Sequence, residues 1–567
     1  MANKSPKLHR YCCAKCKKRT DLSRNISKNR RCIRLKWMKD YFLSLDVDIV
    51  KFKYVCLKCH RKLLKCYKNN SIFQEHTQSI IGSKTKKVTV CSDYFERPDI
   101  DFNKLMGISK ANFEDICNSI SDDKWSSSLC KKSSIGLLLI RLRSGLSVSK
   151  IVAFTRISNY NKCIVMIQKA RDSICDHFVE TNLGLKNVSR GIINVCHTTE
   201  LSKKLFDVSE EAILTIWDGT YVYIQKSSNY TFQRSTYSMH KYRNLVKMMM
   251  IVSSTGFIID CFGPYLANGN NNDANILKDI FDDKEKFDGF FKENDYFIVD
   301  RGFRDCVDFL EHMGMNVQIP AFLNGSKQHT DKESNESRLI TKIRWVVESV
   351  NGQIKKWEYF KNTVSNVNIK YLFKDFRIVC TLINKYLRPR TSSTIDDAQI
   401  AMDMLNLADQ NNQLKAKIEQ IGKEKSKKIN DVTQIKFPRI TEDYIRQLTF
   451  GVYQLKQAKS YNKEQIDENG LYKYQFIGLE KNIIKVRIHS RHSGSLVYSC
   501  FIELNINDEN NPINAWYCSC KCGSRVVGTC AHITSVIWYL GIGQHDKSFL
   551  EKKGADLFID FCLDAKK

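Results

Sequence analysis

The spacing of apolar residues changes several times along this chain of 567 residues. Between about residues 91 and 200, apolar positions recur every three or four residues, which predicts helices. Between about residues 205 and 390, strand-like apolar runs alternate with helix-like segments, which predicts a mixed α/β domain. Polar residues dominate 391–435, and 436–567 return to the pattern of a compact unit.

This pattern divides the chain into five parts. A basic, Cys-rich module covers residues 1–90, and a helical segment covers 91–204. The mixed α/β domain covers 205–390. A polar linker, expected to be helical or partly disordered, covers 391–435, and a last domain covers 436–567. The predicted fold class is therefore a multidomain α/β protein.

Within the helical segment, the stretch GLSVSKIVAFTRISNYNKCIVMIQKA has the rhythm of a helix-turn-helix. The turn is expected at Ile157-Ser158, with Ser158 as the N-cap of the second helix. Ile164, Ile167 and Ala170 are expected to face the core, while polar residues face outward. The outer face would suit a DNA major groove. An ordinary helical bundle is the alternative.

The net charge of the chain indicates the kind of partner that it binds. The sequence has 90 Lys and Arg against 61 Asp and Glu, a formal net charge of +29. Residues 1–90 alone hold 24 Lys and Arg against 5 Asp and Glu. A concentrated basic segment predicts a polyanionic partner, with DNA or RNA first. No apolar signal segment or membrane-length run is visible, so no membrane partner is expected.

Without a secretory signal, the 22 cysteines are expected to be reduced, and clustered cysteines then favour zinc over disulfides. The C-terminal cluster has the spacing C-x-C-x9-C-x-H, formed by Cys518, Cys520, Cys530 and His532. Three thiolates and an imidazole complete a tetrahedral zinc shell without a water position, which predicts a structural site. Cys522 is a spare that could replace a neighbouring ligand.

The N-terminal cysteines predict a second zinc site. Cys13 and Cys16 form one C-x2-C pair, and Cys56 and Cys59 form another. Two such pairs commonly hold one zinc ion. The basic residues around them are expected to contact phosphate, with a solvated face or a nuclear import signal as the alternative. The ligand set stays open because four more residues compete: Cys12, Cys32, His60 and Cys66.

Three carboxylates in the central domain carry the candidate chemistry. Asp218 interrupts one apolar strand, and Asp300 follows another. A carboxylate within so apolar a run is costly unless something binds it. Glu348 lies on a later helix and shares a face with Arg344, four residues back. Two Asp at strand ends and one Glu on a helix predict a site for two Mg²⁺ or Mn²⁺ ions acting on a phosphodiester.

Five segments resemble, in order, the DDE nuclease domain of PIF/Harbinger-type transposases. They are WDGT, QRSTYSMHKYRNLVKMMMIVSSTGFIIDC, YLANGNNND, YFIVDRGF and IRWVVESVNGQIKKW, and together they span about 180 residues. The resemblance implies an RNase H-like core with a mixed sheet. It also implies that Asp218, Asp300 and Glu348 are the catalytic positions of this chain.

The same resemblance implies further site residues. Asp273, which ends GNNND, matches an auxiliary acidic position. Lys241 and Asn244 match the family's HK-x-x-N piece, which implies that they position the site or the DNA. The family usually has a basic residue directly after the catalytic Glu, whereas this chain has Ser349. We expect that change to weaken DNA or helix contacts rather than metal binding.

The C-terminal cluster resembles a SWIM-type zinc finger, a module associated with DNA or protein binding. Together, the resemblances imply a nuclear DNA transposase or an endonuclease derived from one. It would use structural Zn²⁺ at two sites and catalytic Mg²⁺ or Mn²⁺. They also imply a homo-oligomer that binds DNA, with a possible protein partner at the SWIM domain. The alternative is a domesticated, non-catalytic zinc-finger protein that binds DNA or chromatin.

Overall fold

The computed structural model describes Arg30–Cys32, Tyr54–Cys56 and most of residues 98–546. The chain divides into two compact units, Met1–Val88 and Thr89–Lys567. The positions within 98–546 that are not described are 123–124, 126–129, 156–158, 284–288, 422–426, 430–434, 436, 466–474, 481, 492, 494, 506 and 509–510.

In the first unit, the described residues form two antiparallel strands, β1 (Arg30–Cys32) and β2 (Tyr54–Cys56). Cys32 pairs in register with Tyr54, and Arg30 pairs with Cys56. Of the four N-terminal zinc ligands expected from the sequence, Cys56 ends β2. The other three lie outside the described residues, and the predicted site stays a prediction: Cys13, Cys16 and Cys59.

The second unit begins with the helical segment that the apolar spacing predicts. Its central helix is buried along most of its length, because apolar residues occupy nearly every position from Ile135 to Leu142. Other helices therefore pack around it on several sides. The helices are α1 (Asp99–Met106), α2 (Lys110–Ser119), α3 (Lys131–Ser144), α4 (Val148–Thr155), α5 (Tyr160–Ile174), α6 (Glu180–Asn182), α7 (Arg190–His197) and α8 (Glu200–Phe206).

Helices α4 and α5 occupy the place of the expected helix-turn-helix, but the N-cap prediction is wrong. Asn159, not Ser158, caps α5. The Asn159 carboxamide oxygen accepts the backbone N–H groups of Asn161 and Lys162 at 2.9 and 3.3 Å. Asn satisfies these otherwise unpaired N–H groups at least as well as Ser, so the helix begins one residue later.

The predicted core face of α5 also needs a correction at Ile164. Ile167 and Ala170 are buried as expected, but Ile164 is 38% exposed. The buried stripe instead includes Cys163 and continues to Ile174. These positions follow the helical repeat of three to four residues, and Ile164 falls at the edge of that stripe.

A six-stranded mixed sheet forms the centre of the second unit. β5 pairs antiparallel with β3, β4 and β6, while β7 lies between β3 and β8 and is parallel to both. This topology is compatible with an RNase H-like core. The strands are β3 (Leu214–Tyr223), β4 (Tyr237–Ser238), β5 (Arg243–Val252), β6 (Ile258–Leu266), β7 (Tyr296–Ile298) and β8 (Asn316–Gln318).

Helices cover both faces of this sheet. Side chains of β3 alternate between two cores, as the pleat requires. Ile216 and Val222 join the core that includes the long helix α12, whereas Trp217 packs among phenylalanines with Phe281 of α10. The helices are α9 (Tyr230–Thr236), α10 (Asp273–Asp282), α11 (Val307–His312), α12 (Asp331–Lys355), α13 (Glu358–Lys361) and α14 (Ile369–Tyr386).

The segment 391–435 holds two helices, α15 (Asp397–Ala408) and α16 (Gln413–Ile421), and a strand, β9 (Lys427–Ile429). Ala401 and Met404 of α15 are buried in the same core as α12. β9 forms one edge of the five-stranded C-terminal sheet. Helix α15 therefore packs against the domain that precedes this segment in the sequence, and β9 pairs with the sheet that follows it.

In the C-terminal part, two helices separate β9 from the other four strands of an antiparallel sheet, and one helix follows the last strand. The strand order is β13-β12-β11-β10-β9. Within the described ranges, no helix combines the length and apolar character needed to cross a bilayer. The elements are α17 (Glu442–Thr449), α18 (Tyr453–Glu464), β10 (Gln475–Glu480), β11 (Ile483–His489), β12 (Val497–Leu504), β13 (Ile513–Cys518) and α19 (Ala531–Gly541).

Candidate active site and metal centre

Asp218 lies inside β3 and not at an interruption of it, which corrects the sequence-based expectation. Asp218 pairs in register with Met250, and Gly219 pairs with Met249, so the ladder runs through both positions. The strand accommodates the carboxylate because Asn351 of α12 donates from Nδ2 to Asp218 Oδ2 at 2.7 Å. A buried carboxylate with a hydrogen-bond donor is far less costly than an isolated one.

Asp300 follows β7 and lies level with Asp218. β7 is parallel to β3, and Ile298 is the register partner of Ile216. Asp300 and Asp218 each lie two residues further along, so the two carboxylates occupy neighbouring positions across the sheet. The Asp300 Oδ1 atom accepts the N–H of Gly302 at 2.8 Å and caps a short 3-10 helix.

Glu348 lies on α12 and shares a face with Arg344, as predicted. The Arg344 guanidinium donates to Glu348 Oε1, and the Glu348 side chain is 58% exposed. Asn351 follows one turn later and contacts Asp218, and Lys355 follows another turn later and donates from Nζ to the carbonyl of Tyr221. One face of α12 thus runs along β3.

Asp273 begins α10 and fills the space between β3 and the loop after β7. A Cβ on Gly219 would lie 2.7 Å from Asp273 Oδ1, and a Cβ on Gly302 would lie 3.3 Å from Asp273 Oδ2. Only glycine fits this close approach at position 219. Asp273 Oδ1 also accepts from Lys247 Nζ at 3.0 Å. The auxiliary position predicted from the sequence therefore lies beside Asp300.

Burial and neighbouring carboxylates raise the pKa values of Asp218 and Asp300. Burial raises the pKa of Asp218 to about 7, and the negative charge of Asp300 adds to the shift. Burial also raises the pKa of Asp300, which the Gly302 N–H opposes and the Asp273 charge reinforces. The Arg344 guanidinium opposes the rise at both aspartates. Repulsion of this kind is relieved by a bound cation, which is why such clusters mark candidate sites.

The oxygen atoms of the three carboxylates do not lie close enough together to form one coordination shell. Among the described residues, three or more Cys, His, Asp or Glu ligand atoms lie within 4.8 Å of one another only in the C-terminal cluster. The carboxylate oxygens are nevertheless the ligands that Mg²⁺ and Mn²⁺ prefer, so the set fits such ions. Each carboxylate has a donor of its own: Asn351 for Asp218, Gly302 for Asp300 and Arg344 for Glu348.

Lys241 and Asn244 lie near the start of β5 and have different surroundings. Asn244 is buried, and its Nδ2 atom donates to the Gln233 carbonyl at 2.7 Å and to Thr236 Oγ1 at 3.0 Å. Asn244 therefore holds the end of α9 against β5. Lys241 is exposed, with its Nζ atom 5.1 Å from the centre of the Tyr221 ring.

The C-terminal cluster brings together Cys518, Cys520, Cys530 and His532, whose ligand atoms all lie within 4.8 Å of one another. His532 Nδ1 is 3.8 Å from Cys518 Sγ and 3.9 Å from Cys530 Sγ. Zinc–sulfur bonds of about 2.3 Å in a tetrahedron place sulfurs about 3.8 Å apart, so these four residues fit one zinc ion. Cys522 lies outside this group.

A further cysteine lies beside the cluster. Cys500 of β12 pairs in register with Cys518, and the two Sγ atoms are 3.7 Å apart. Spacing along the chain does not reveal Cys500, because its proximity to Cys518 depends on the pairing of two strands. Burial raises the pKa of the Cys518 thiol well above its ordinary value. A metal ion that binds the thiolate would offset that cost.

The loop between the zinc-ligand pairs docks against the start of α12. Gln328 Nε2 donates to the carbonyls of both Cys518 and Cys520, each at 2.7 Å. The N–H of His329 donates to the Lys521 carbonyl at 3.0 Å. The helix that carries Glu348 thus begins against the cysteine loop.

Buried polar residues of α12 extend this junction, which we call the α12 seam (residues 328–342 with their partners). Asn335 is fully buried, and its Oδ1 accepts the N–H groups of Val526 and Val527. Two basic side chains of α12 bind carbonyls at the end of α17: Arg338 donates to Thr449 and Lys342 donates to Phe450. Cations suit the carbonyl end of a helix.

Comparison with known proteins finds a family that resembles the central segment. Residues 217–384 match the family model described as DDE superfamily endonuclease. The matched segment contains all three predicted catalytic carboxylates. No curated protein and no solved structure matched the chain. The match supports a transposase-type DDE nuclease in the centre of this chain.

Proposed function

We propose that this protein is a DNA transposase, or an endonuclease derived from one, that cleaves phosphodiesters at Asp218, Asp300 and Glu348. One observation carries the proposal. Asp218 of β3 lies level with Asp300, which follows the neighbouring parallel strand β7, and α12 runs along β3 with Glu348 on the adjoining turn. Asp273 adds a fourth carboxylate beside them. This is the arrangement expected of a phosphoryl-transfer site in a DDE endonuclease.

The residues of the chain divide the chemical work. Asn351 orients Asp218, and the Gly302 N–H orients Asp300. Glu348 pairs with Arg344 and would hold a metal ion in place of that partner, and the guanidinium would then be available to a phosphate oxygen. Bound Mg²⁺ or Mn²⁺ would activate the attacking oxygen and stabilise the leaving one. No covalent protein intermediate is required.

The remaining parts of the proposal concern zinc and partners. Cys518, Cys520, Cys530 and His532 would hold a structural Zn²⁺, which the fit of their ligand atoms supports. The loop would be a SWIM-type finger, and the protein would be of the PIF/Harbinger type. The basic segment 1–90, with its own zinc, would supply DNA affinity. Nuclear location, homo-oligomerisation and a protein partner at the SWIM domain complete the proposal.

The direct test is nicking of supercoiled DNA by the purified full chain with Mg²⁺ or Mn²⁺. Wild type should nick, and Asp218→Ala and Asp300→Ala should each reduce the rate by at least about 10³-fold. Asp403→Ala, an exposed aspartate of α15, is the matched control and should keep the wild-type rate. An Asp300→Ala variant that nicks at the wild-type rate refutes the assigned site. A wild-type protein that binds DNA without cleaving it supports the domesticated alternative.

A further inference from the structure

The chain that follows Asp218 has an unusual charge. From Gly219 to Ile259 the sequence contains no Asp or Glu. We call residues 219–247 the basic hairpin. It comprises the second half of β3, the helix α9, the short strand β4 and the start of β5. It carries five basic residues: Lys226, Arg234, Lys241, Arg243 and Lys247.

Three cations of this region lie close to tyrosine rings. The Arg243 guanidinium carbon lies 4.0 Å from the centre of the Tyr223 ring. Two ammonium groups approach Tyr221, that of Lys241 at 5.1 Å and that of Lys355 from α12 at 4.7 Å. The two rings are themselves in contact, with centres 5.2 Å apart. Each cation is therefore held at a defined position by the ring quadrupole.

These cations are not neutralised within the described part of the chain. Lys247 pairs with Asp273, but Lys241, Arg243 and Lys355 have no carboxylate within ion-pair distance among the described residues. Arg243 instead donates to Thr363 Oγ1 at 3.1 Å. Lys241 and Arg243 are exposed. Cations that are fixed in place and lack a carboxylate partner are preorganised to bind an external anion.

The tip of the hairpin exposes large side chains to solvent. The turn between β4 and β5 exposes Met239 by 72% and Tyr242 by 75%. Tyr242 has a φ of +53°, a left-handed conformation that is uncommon for a residue other than glycine. Exposed aromatic side chains beside fixed cations are typical of surfaces that contact nucleic acid strands.

We propose that the basic hairpin holds the DNA strand next to the cut, through phosphate contacts from Lys241 and Arg243. This inference rests on the proposed function. β3 rises about 3.3 Å per residue, so Tyr221 and Tyr223 lie about 10 and 16 Å along the strand from Asp218. Each DNA strand has a phosphate about every 3.4 Å along the duplex axis. The contacts therefore fall roughly three to five nucleotides from the cleaved bond.

The tyrosines have a supporting role in this surface. Tyr221 has two lysine ammonium groups near its ring, so the ring positions cations and is not open for base stacking. Tyr223 does the same for Arg243. Removal of a ring should therefore weaken DNA binding without a change in charge, and by less than removal of the cations.

The test uses the full chain and a nicked duplex oligonucleotide, with binding followed by fluorescence anisotropy in Ca²⁺ at several salt concentrations. The double variant Lys241→Ala/Arg243→Ala should weaken binding at least about tenfold and reduce the slope of log affinity against log salt by about 1 to 2. The charge-matched control is Lys104→Ala/Lys204→Ala. Those two lysines are paired with Asp101 and Glu200, so their loss should leave affinity and slope nearly unchanged.

A hairpin variant that binds with the affinity and salt slope of the control overturns the inference. Lys241→Gln/Arg243→Gln, which keeps the side-chain bulk, should repeat the loss, and Arg243→Lys should recover part of it. Matching circular dichroism and melting curves exclude misfolding. If the hairpin variant loses DNA affinity as expected but the wild type does not nick DNA, only the proposed function is contradicted. Asp218-dependent nicking with an unchanged salt slope in the variant contradicts only the hairpin, and absence of DNA binding by wild type contradicts both.

Discussion

Asn351 Nδ2 donates a hydrogen bond to Asp218 Oδ2 at 2.7 Å, one helical turn beyond Glu348. The other amide atom, Asn351 Oδ1, is buried without a hydrogen-bond partner among the described atoms. Asn351 thus fixes one oxygen of Asp218 through this hydrogen bond. It is a positioning residue that the predicted triad does not include.

Asn351→Ala should therefore weaken divalent-metal binding while the fold remains intact. Without its donor, Asp218 loses one charge-favouring hydrogen bond, for which about 1.5–3 kcal/mol is typical. The half-saturating Mn²⁺ concentration, measured by calorimetry and by nicking, should rise about tenfold or more. Gln353→Ala, a carboxamide loss two residues along the same helix, is the control. Equal Mn²⁺ affinity in the two variants would contradict a positioning role.

Metal binding should depend on pH near neutrality. Because burial and the Asp300 charge raise the pKa of Asp218 to about 7, the carboxyl group holds a proton below that pH, and a cation must displace it. Apparent Mn²⁺ affinity should therefore fall about tenfold per pH unit below 7 and level off above about 8. Calorimetry across this range measures the slope. Asp218→Asn should bind metal weakly at every pH, without that slope.

The buried pair of Arg171 and Asp375 should show strong coupling in stability. Arg171 Nε donates to Asp375 Oδ1 at 2.6 Å, and both side chains are almost completely buried. Asp375→Ala leaves an uncompensated guanidinium and should cost about 3–5 kcal/mol in the free energy of unfolding. Arg171→Met/Asp375→Leu should cost less than either single change. Urea denaturation of the wild type, Arg171→Met, Asp375→Leu and the double variant gives the coupling energy, and additive losses would argue against coupling.

Asn335→Ala should destabilise the α12 seam. The change removes both N–H acceptor bonds from Val526 and Val527 and the Nδ2 bond to the Ala408 carbonyl. Several buried groups are then unsatisfied, at about 1–3 kcal/mol each. We expect a lower melting temperature and faster proteolysis of the C-terminal part. Asn411→Ala, at an exposed position in the connection between α15 and α16, should leave both unchanged.

Loss of zinc should destabilise the start of the helix that carries Glu348. Cys520→Ser should reduce the measured zinc content by about one ion per chain and lower the melting temperature, since a closed structural site contributes directly to folding. Hydrogen exchange should then increase in the first half of α12, because Gln328 and His329 contact the cysteine loop. Cys196→Ser, an exposed cysteine of α7, is the control. Unchanged zinc content in Cys520→Ser would exclude the assigned ligands.

The sequence predicts those parts of the site that depend on neighbours along the chain. The four C-terminal ligands lie within 15 residues of one another, so spacing alone identifies them. Asp218 and Asp300 are conspicuous in the sequence because each follows a run of apolar residues. Ile164 shows the limit of periodicity, since a small error in helical phase moves a residue from the core to the surface.

Contacts between distant segments could not be predicted. Asn351 and Asp218 are 133 residues apart, and their contact depends on how α12 crosses β3. Cys500 meets Cys518 only through the pairing of β12 with β13. β3 also continues through Asp218 because Asn351 donates a hydrogen bond to its carboxylate, and no local pattern in the sequence reveals that donor. Periodicity defines the apolar face of an element, but not which other face will cover it.

The α12 seam has a consequence for excision of the nuclease. A fragment that ends at residue 390 would strip Asn335 of its C-terminal partners and release Arg338 and Lys342 from the carbonyls of Thr449 and Phe450. Two cations and an amide would then face water where protein had covered them. The smallest autonomous piece of this chain should therefore extend from about residue 98 to residue 546. Recombination could exchange the basic N-terminal unit, but it could not separate the catalytic helix from the cysteine loop without loss of folding.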